Sequence, residues 1–166
     1  MSLLIRRARP DEAGLVLSLV RELAEYEKLL HEVEATEAMI AEALFGASPR
    51  VFCDLAEWNG EVAGFAVWFV NFSTFSGRAG IYLEDLFVRP ALRGKGIGKA
   101  LLSHLARECV ANEWSRLQWS VLDWNTPSIA FYKSLGAVML DEWTVCKVGG
   151  PALAALARTA SCKTAS

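Results

Sequence analysis

The chain has 166 residues, 53% of them apolar and 22% charged, with a formal net charge of −2. Such a length and balance suit one soluble domain with a substantial core, and two domains would be cramped. The longest apolar run, Phe65 to Val70, is far too short to cross a bilayer, and MSLLIRRARP has no signal-peptide pattern, so a cytoplasmic protein with no membrane or nucleic-acid partner is expected.

Residues 3 to 8 read as a short strand, and Pro10, Asp11 and Glu12 then supply a proline and two carboxylates where a helix N-terminus wants them. Leu15, Leu19, Leu23, Tyr26 and Leu30 trace one helical stripe. A second helix starts near Thr36 and stops at Gly46. Between Asp11 and Glu42 there are nine carboxylates against Arg21 and Lys28, so this segment carries about −7 while the remainder carries about +5. Taken alone, an acidic helix pair is equally well an ordinary solvated face.

Two strands follow, Val51 to Trp58 and Glu61 to Phe72, joined by Asn59-Gly60, a strong two-residue hairpin signal. A fourth strand, Ile81 to Val88, is apolar except for Glu84 and Asp85 and has the composition of a central strand; Pro90 ends it. Strands two to four should form an antiparallel meander. Strict alternation puts Tyr82, Glu84 and Leu86 on one face and Leu83, Asp85 and Phe87 on the other. Beyond the turn, Ile97, Leu101, Leu102, Leu105 and Cys109 mark the buried side of a third helix. Arg116 to Asp123 reads as a fifth strand, parallel to the fourth because a helix connects them. Asn125 or Thr126 caps a helix with Pro127 near its first position, Leu135-Gly136 closes it, and Val138 to Leu140 and Trp143 to Val148 read as the last strands. Residues 149–166 are a tail whose Ala152 to Ala157 has little reason to stay in water.

The turn between the fourth strand and the third helix carries the chemistry. The first amides of a helix lack intrahelical partners and sit at the positive end of the macrodipole. Gly94, Gly96 and Gly98 let a ligand approach that backbone, and Arg89, Arg93, Lys95 and Lys99 surround it with positive charge. A dinucleotide fingerprint would need glycine or alanine at Lys99, and a P-loop would need glycine at Arg93 and Ser or Thr at Ala100, so both fail. Arg93-x-x-Gly96-x-Gly98 after Leu86-Phe87-Val88 instead resembles the acetyl-CoA-binding motif of the GNAT superfamily of N-acetyltransferases. Glu22 to Glu27, Tyr82 to Asp85, Trp124 to Ser128 and Phe131 to Lys133 look like the diamine (spermidine/spermine) and thialysine acetyltransferases of that superfamily, so the likeness covers residues 3 to 148.

The resemblance implies an α/β (α+β) fold over residues 1–148. Its mixed, mostly antiparallel sheet has about six to seven strands, splayed between the fourth and fifth, with helices on both faces. It implies acetyl-CoA held by Leu86, Phe87 and Val88, by Arg93, Gly94, Lys95, Gly96, Ile97, Gly98 and Lys99, and by Asn125, Ser128 and Tyr132. It makes Tyr132 the acid that protonates the leaving thiolate. Glu84 binds the acceptor ammonium or takes its proton. The acceptor, a small cationic amine such as a diamine, a polyamine or a lysine-like amine, would meet Tyr26, Glu27, Glu84, Trp119 and Glu142. A homodimer is expected by the same resemblance. A protein or peptide N-acetyltransferase and a non-catalytic acyl-CoA-binding module are the alternatives, and Tyr132 speaks against the second.

Acyl transfer through a cysteine is disfavoured, because Cys109, Cys53 and Cys146 continue apolar patterns and Cys162 lies in the tail. The four cysteines form no C-x-x-C pair, and His31 and His104 stand alone, so neither disulfides nor a metal is expected.

Overall fold

The computed structural model describes residues 2–159, and the chain divides into two compact units, Met1–Ser120 and Val121–Ser166. The first unit is built on a sheet whose strands lie in sequence order: β1 (Leu3–Arg7), β2 (Phe52–Trp58), β3 (Glu61–Ser73), β4 (Arg78–Val88) and β5 (Leu117–Gln118). The first four are antiparallel, and β5 runs parallel to β4. Asn59 and Gly60 join β2 to β3 with φ of 53° and 87°, the left-handed pair that a two-residue turn with the right twist requires.

One face of the sheet is covered by α1 (Ala13–Tyr26) and α2 (Glu37–Phe45). Val16, Leu19, Leu23 and Leu44 from these helices bury themselves against Cys53, Leu55, Phe65, Val67 and Phe87. Burying each large aliphatic of this kind contributes about 1.5–3 kcal/mol. Leu30 falls outside the expected stripe: α1 ends at Tyr26, and Leu30 sits in a later 3-10 turn, exposed. Thr36 caps α2, its hydroxyl accepting from the Met39 amide.

The opposite face is covered by α3 (Ile97–Ala111), whose Ile97, Leu101, Leu102, Leu105 and Cys109 are all buried. Asp54, between Cys53 and Leu55 on β2, points to that side. The indole of Trp68 donates to it at 2.7 Å, and His104 of α3 lies 3.7 Å from it. At the start of α1, Glu12 accepts from the Arg9 amide at 2.8 Å and from both terminal nitrogens of Arg6. The Arg6 bonds, with the Arg9 amide, hold its carboxyl down at about 2.

The alternation expected along β4 does not hold. Val67 pairs with Asp85 and Trp68 with Leu83, so Glu84 has no opposite number and forms a β-bulge. Asp85 and Phe87 therefore share the α1 face with Val67, while Leu83 shares the α3 face with Trp68. The bulge also limits β5: its ladder with β4 covers only Ile81 and Tyr82, not the expected run from Arg116 to Asp123, because a bulge bends the strand just beyond Tyr82.

In the second unit, α4 (Thr126–Ser134) begins at Asn125, whose side-chain oxygen accepts from the Ser128 amide at 3.4 Å. Gly136, at φ 90°, closes it. Segments 138–140 and 143–148 form no strand, so the sheet has five strands among the described residues rather than six to seven. Their β-branched and aromatic residues have strand composition but no ladder partner, and composition alone cannot hold an extended backbone. The tail forms α5 (Gly150–Arg158), exposed throughout. Cys162 lies outside the described residues.

Candidate active site

The first part of the site is an open strand edge. From Leu83 onward β4 has no β5 partner, so Leu86, Phe87 and Val88 lie beyond the point where the ladder stops. Pro90–Leu92 make a 3-10 turn, and α3 starts at Ile97. Between them Gly94 and Gly96 adopt φ of 76° and 79°, and the space a Cβ would fill at either is open. The first intrahelical bond of α3 runs from the Ala100 amide to the Gly96 carbonyl at 2.9 Å, which leaves the amides of Ile97, Gly98 and Lys99 for another acceptor. This backbone fits an anionic ligand approaching the helix end.

The cations around the turn divide by role. Arg89 is engaged by Glu22 through two hydrogen bonds and by the Val62 carbonyl. Arg93 donates from Nε to the Val88 carbonyl at 3.0 Å and lies over the rings of Tyr26 and Phe87. Lys95 sits 5.8 Å from the Trp58 ring, and Lys99 is exposed on the first turn of α3.

The second part is acidic. Tyr26 is the last residue of α1 and Glu27 caps it. Burial pushes the Glu27 carboxyl above its ordinary value. The Asp85 carboxyl is pushed up to about 7, first by burial and then by the charges of Glu84 and Glu27, while Glu84 itself is exposed. Asp85 is the residue that the resemblance did not single out. Its signal was the adjacent pair Glu84-Asp85, but strict alternation put it with Leu83 because a bulge leaves no mark in the pattern of residues. Trp119 is half-buried just past β5, where Tyr82 shares a hydrogen bond of 2.9 Å with Ser120.

The remaining expected site residues lie in the second unit. Tyr132 is buried on α4, with the Phe131 ring 5.4 Å away. Asn125 and Ser128 are brought together by the helix cap. Glu142 is exposed. Among the thiols, burial pushes Cys53 up to about 12 and raises Cys109 as well, so neither supplies a thiolate near neutrality. Among the described residues no group of His, Cys, Asp and Glu is arranged to hold a metal ion, and no helix is long and apolar enough to cross a membrane.

A helix end with free amides thus lies beside a strand edge left open by its neighbour, an arrangement suited to an anionic ligand with an extended, amide-bearing arm. Residues 16–137 match the model of the acetyltransferase (GNAT) family, and the chain belongs to that family as an acetyl-transferring enzyme. It is 38% identical over 165 residues to a thialysine N-epsilon-acetyltransferase of Bos taurus, covering 93% of this chain and 96% of that protein. An L-ornithine N5-acetyltransferase of Arabidopsis thaliana is 29% identical over 92% of this chain and 86% of its own. Among solved structures, a Vibrio cholerae integron cassette protein superposes with a TM-score of 0.79 at 30% identity, covering 95% of this chain and 99% of its own. The family takes its acetyl group from acetyl-CoA.

Proposed function

We propose that the enzyme transfers the acetyl group of acetyl-CoA to a primary amine of a small cationic acceptor, a diamine, polyamine or lysine-like amine, by direct attack. The observation that carries the acceptor class is the carboxyl group cluster of Glu27, Glu84 and Asp85, close enough for the first two to raise the third. Three neighbouring carboxyls favour an acceptor that brings more than one positive charge. The relatives named for thialysine and ornithine, both amino acids with a second amine, support the same class.

In this reading the thioester supplies the acetyl group, and the protein supplies position and protons. The pyrophosphate lies on the amides of Ile97, Gly98 and Lys99, and the free edge at Leu86 to Val88 receives the amide-bearing arm as an added strand would. Gly94 and Lys95 complete the turn, and the resemblance gives Asn125 and Ser128 to the cofactor. Tyr26 and Glu27 hold the distal ammonium, and the resemblance gives Trp119 and Glu142 to the acceptor as well. Glu84, exposed at the bulge, draws in the reacting amine. Asp85 takes its proton, since a carboxyl near 7 is half ionised at neutral pH and can both accept and release. Tyr132 gives a proton to the departing sulfur.

The catalytic domain in this reading is residues 1–148, with 149–166 as a tail. A cytoplasmic homodimer is the working assembly. The free thiols support the compartment. Exposed Val138, Leu140, Trp143, Val145, Leu153 and Leu156 support a second copy as the cover.

The test is to incubate the pure protein with acetyl-CoA and a panel of amines while following thiol release. Diamines and lysine-like amines should turn over far faster than neutral monoamines and peptide N-termini. Preference for peptides would favour a protein N-acetyltransferase, and no release with any amine would leave a binding module.

A further inference from the structure

The two ligand sites proposed above each have an aromatic or cationic residue at their border, and those two residues touch. The Arg93 guanidinium carbon lies 4.2 Å from the centre of the Tyr26 ring and 5.8 Å from that of Phe87. Its Nε donates to the Val88 carbonyl at 3.0 Å. Tyr26 ends α1, Phe87 and Val88 end β4, and Arg93 precedes the first left-handed glycine of the turn. Two separate elements, α1 and β4, therefore fix one exposed side chain of the turn. With Nε on Val88 and the guanidinium over the ring, the two terminal nitrogens of Arg93 have no hydrogen bond to the described residues.

An exposed arginine ordinarily samples many rotamers, and a phosphate that binds it must order them at its own expense. A guanidinium already stacked and hydrogen-bonded has lost that freedom before the ligand arrives. Its neighbour Arg89 cannot take the same part, because Glu22 and the Val62 carbonyl occupy all its nitrogens.

We propose that Tyr26 is a positioning residue for Arg93: its ring pre-orders the guanidinium for the pyrophosphate of acetyl-CoA, so the acceptor pocket and the cofactor turn are energetically coupled through one stacked pair. The inference rests on the reading of the glycine turn as the acetyl-CoA site. Coupling of this kind is reciprocal, so an acceptor that presses on Tyr26 changes the affinity for CoA, and CoA changes the affinity for the acceptor by the same factor.

The experiment is calorimetric titration with CoA alone, in the absence of any acceptor. Arg93→Ala should weaken binding by at least about tenfold, as loss of a charged hydrogen-bonding partner does. Tyr26→Leu, which keeps the bulk without the π face, should weaken it by about threefold to tenfold, the span of a cation–π contact, and Tyr26→Phe should restore it. Tyr26→Ala guards against a packing effect peculiar to leucine and should match it. The double variant Arg93→Ala with Tyr26→Leu should bind no more weakly than Arg93→Ala alone. If Tyr26→Leu binds CoA like the parent while Arg93→Ala does not, or if the two losses add, the positioning role is overturned with the cofactor site intact. If Arg93→Ala also binds like the parent, the reading of the turn itself fails, and the positioning role with it.

Discussion

Arg89 and Glu22 meet as a two-pronged pair, Nη2 to Oε1 at 2.8 Å and Nε to Oε2 at 2.9 Å, which ties α1 to the end of β4. Arg89 also donates to the Val62 carbonyl at 2.7 Å, so its hydrogen bonds serve the fold rather than the glycine turn beside it. Arg89→Ala should cost about 1–2 kcal/mol of stability, a few degrees in Tm for a chain of this size, because the pair is partly exposed. CoA affinity should change by less than about threefold. Thermal unfolding alongside calorimetry checks both; an unchanged Tm with a large loss of affinity would return Arg89 to the phosphate.

Gly96→Val should abolish tight CoA binding. Its φ of 79° lies in the left-handed region, and a β-branched side chain there is strained by about 1–2 kcal/mol or more. The new methyls would also occupy the open space through which a phosphate reaches the helix amides. A loss of at least about tenfold is expected by calorimetry, with the same direction and a different cause in Gly98→Val, where bulk rather than φ interferes. Full affinity in both variants would move the cofactor elsewhere.

Asp85 should set a pH dependence of both rate and stability. Its carboxyl is raised from 3.8 to about 7, so kcat/KM should rise with pH through about 7, and Asp85→Asn should flatten that limb and lower kcat by about two orders of magnitude. For stability the sign follows from the raised value: the folded state resists ionisation of this group. The penalty is absent below about 3.8, grows between there and about 7, and is complete above. Asp85→Asn should therefore raise Tm relative to the parent at pH 8 and leave it unchanged near pH 4. Equal differences at both pH values would show that Asp85 titrates normally.

Tyr132→Phe should lower kcat by about two to four orders of magnitude, the span for a positioned acid, with CoA affinity within about twofold of the parent. Steady-state rates with a diamine acceptor and a CoA titration separate the two effects. A fully active variant would demote Tyr132 to packing.

What was legible in the sequence alone was local. Asn59-Gly60 demanded left-handed φ at both positions and has it, and Asn125 with Pro127 started α4 as such residues do. The glycine turn was read in the same way, since Gly94 and Gly96 tolerate a conformation that few other residues adopt. The meander and the parallel fifth strand followed from the order of elements and the lengths of their connections. The acidic character of the first two helices was likewise countable residue by residue.

The tertiary structure alone decided which residues meet across distance. Whether Asp85 faces α1 depends on Glu84 being left out of the ladder, a register set by Val67 and Trp68 on another strand. The partner that removes Arg89 from the anion site lies 67 residues away, and the ring under Arg93 lies at the end of a different helix. Segments 138–140 and 143–148 have the composition of strands, yet a strand exists only where a second backbone supplies its hydrogen bonds. Turns and caps are satisfied by atoms within a few residues, so their chemistry is written in neighbouring letters. Register, ion pairing and edge pairing are satisfied by atoms far along the chain, and only the folded arrangement brings those into contact.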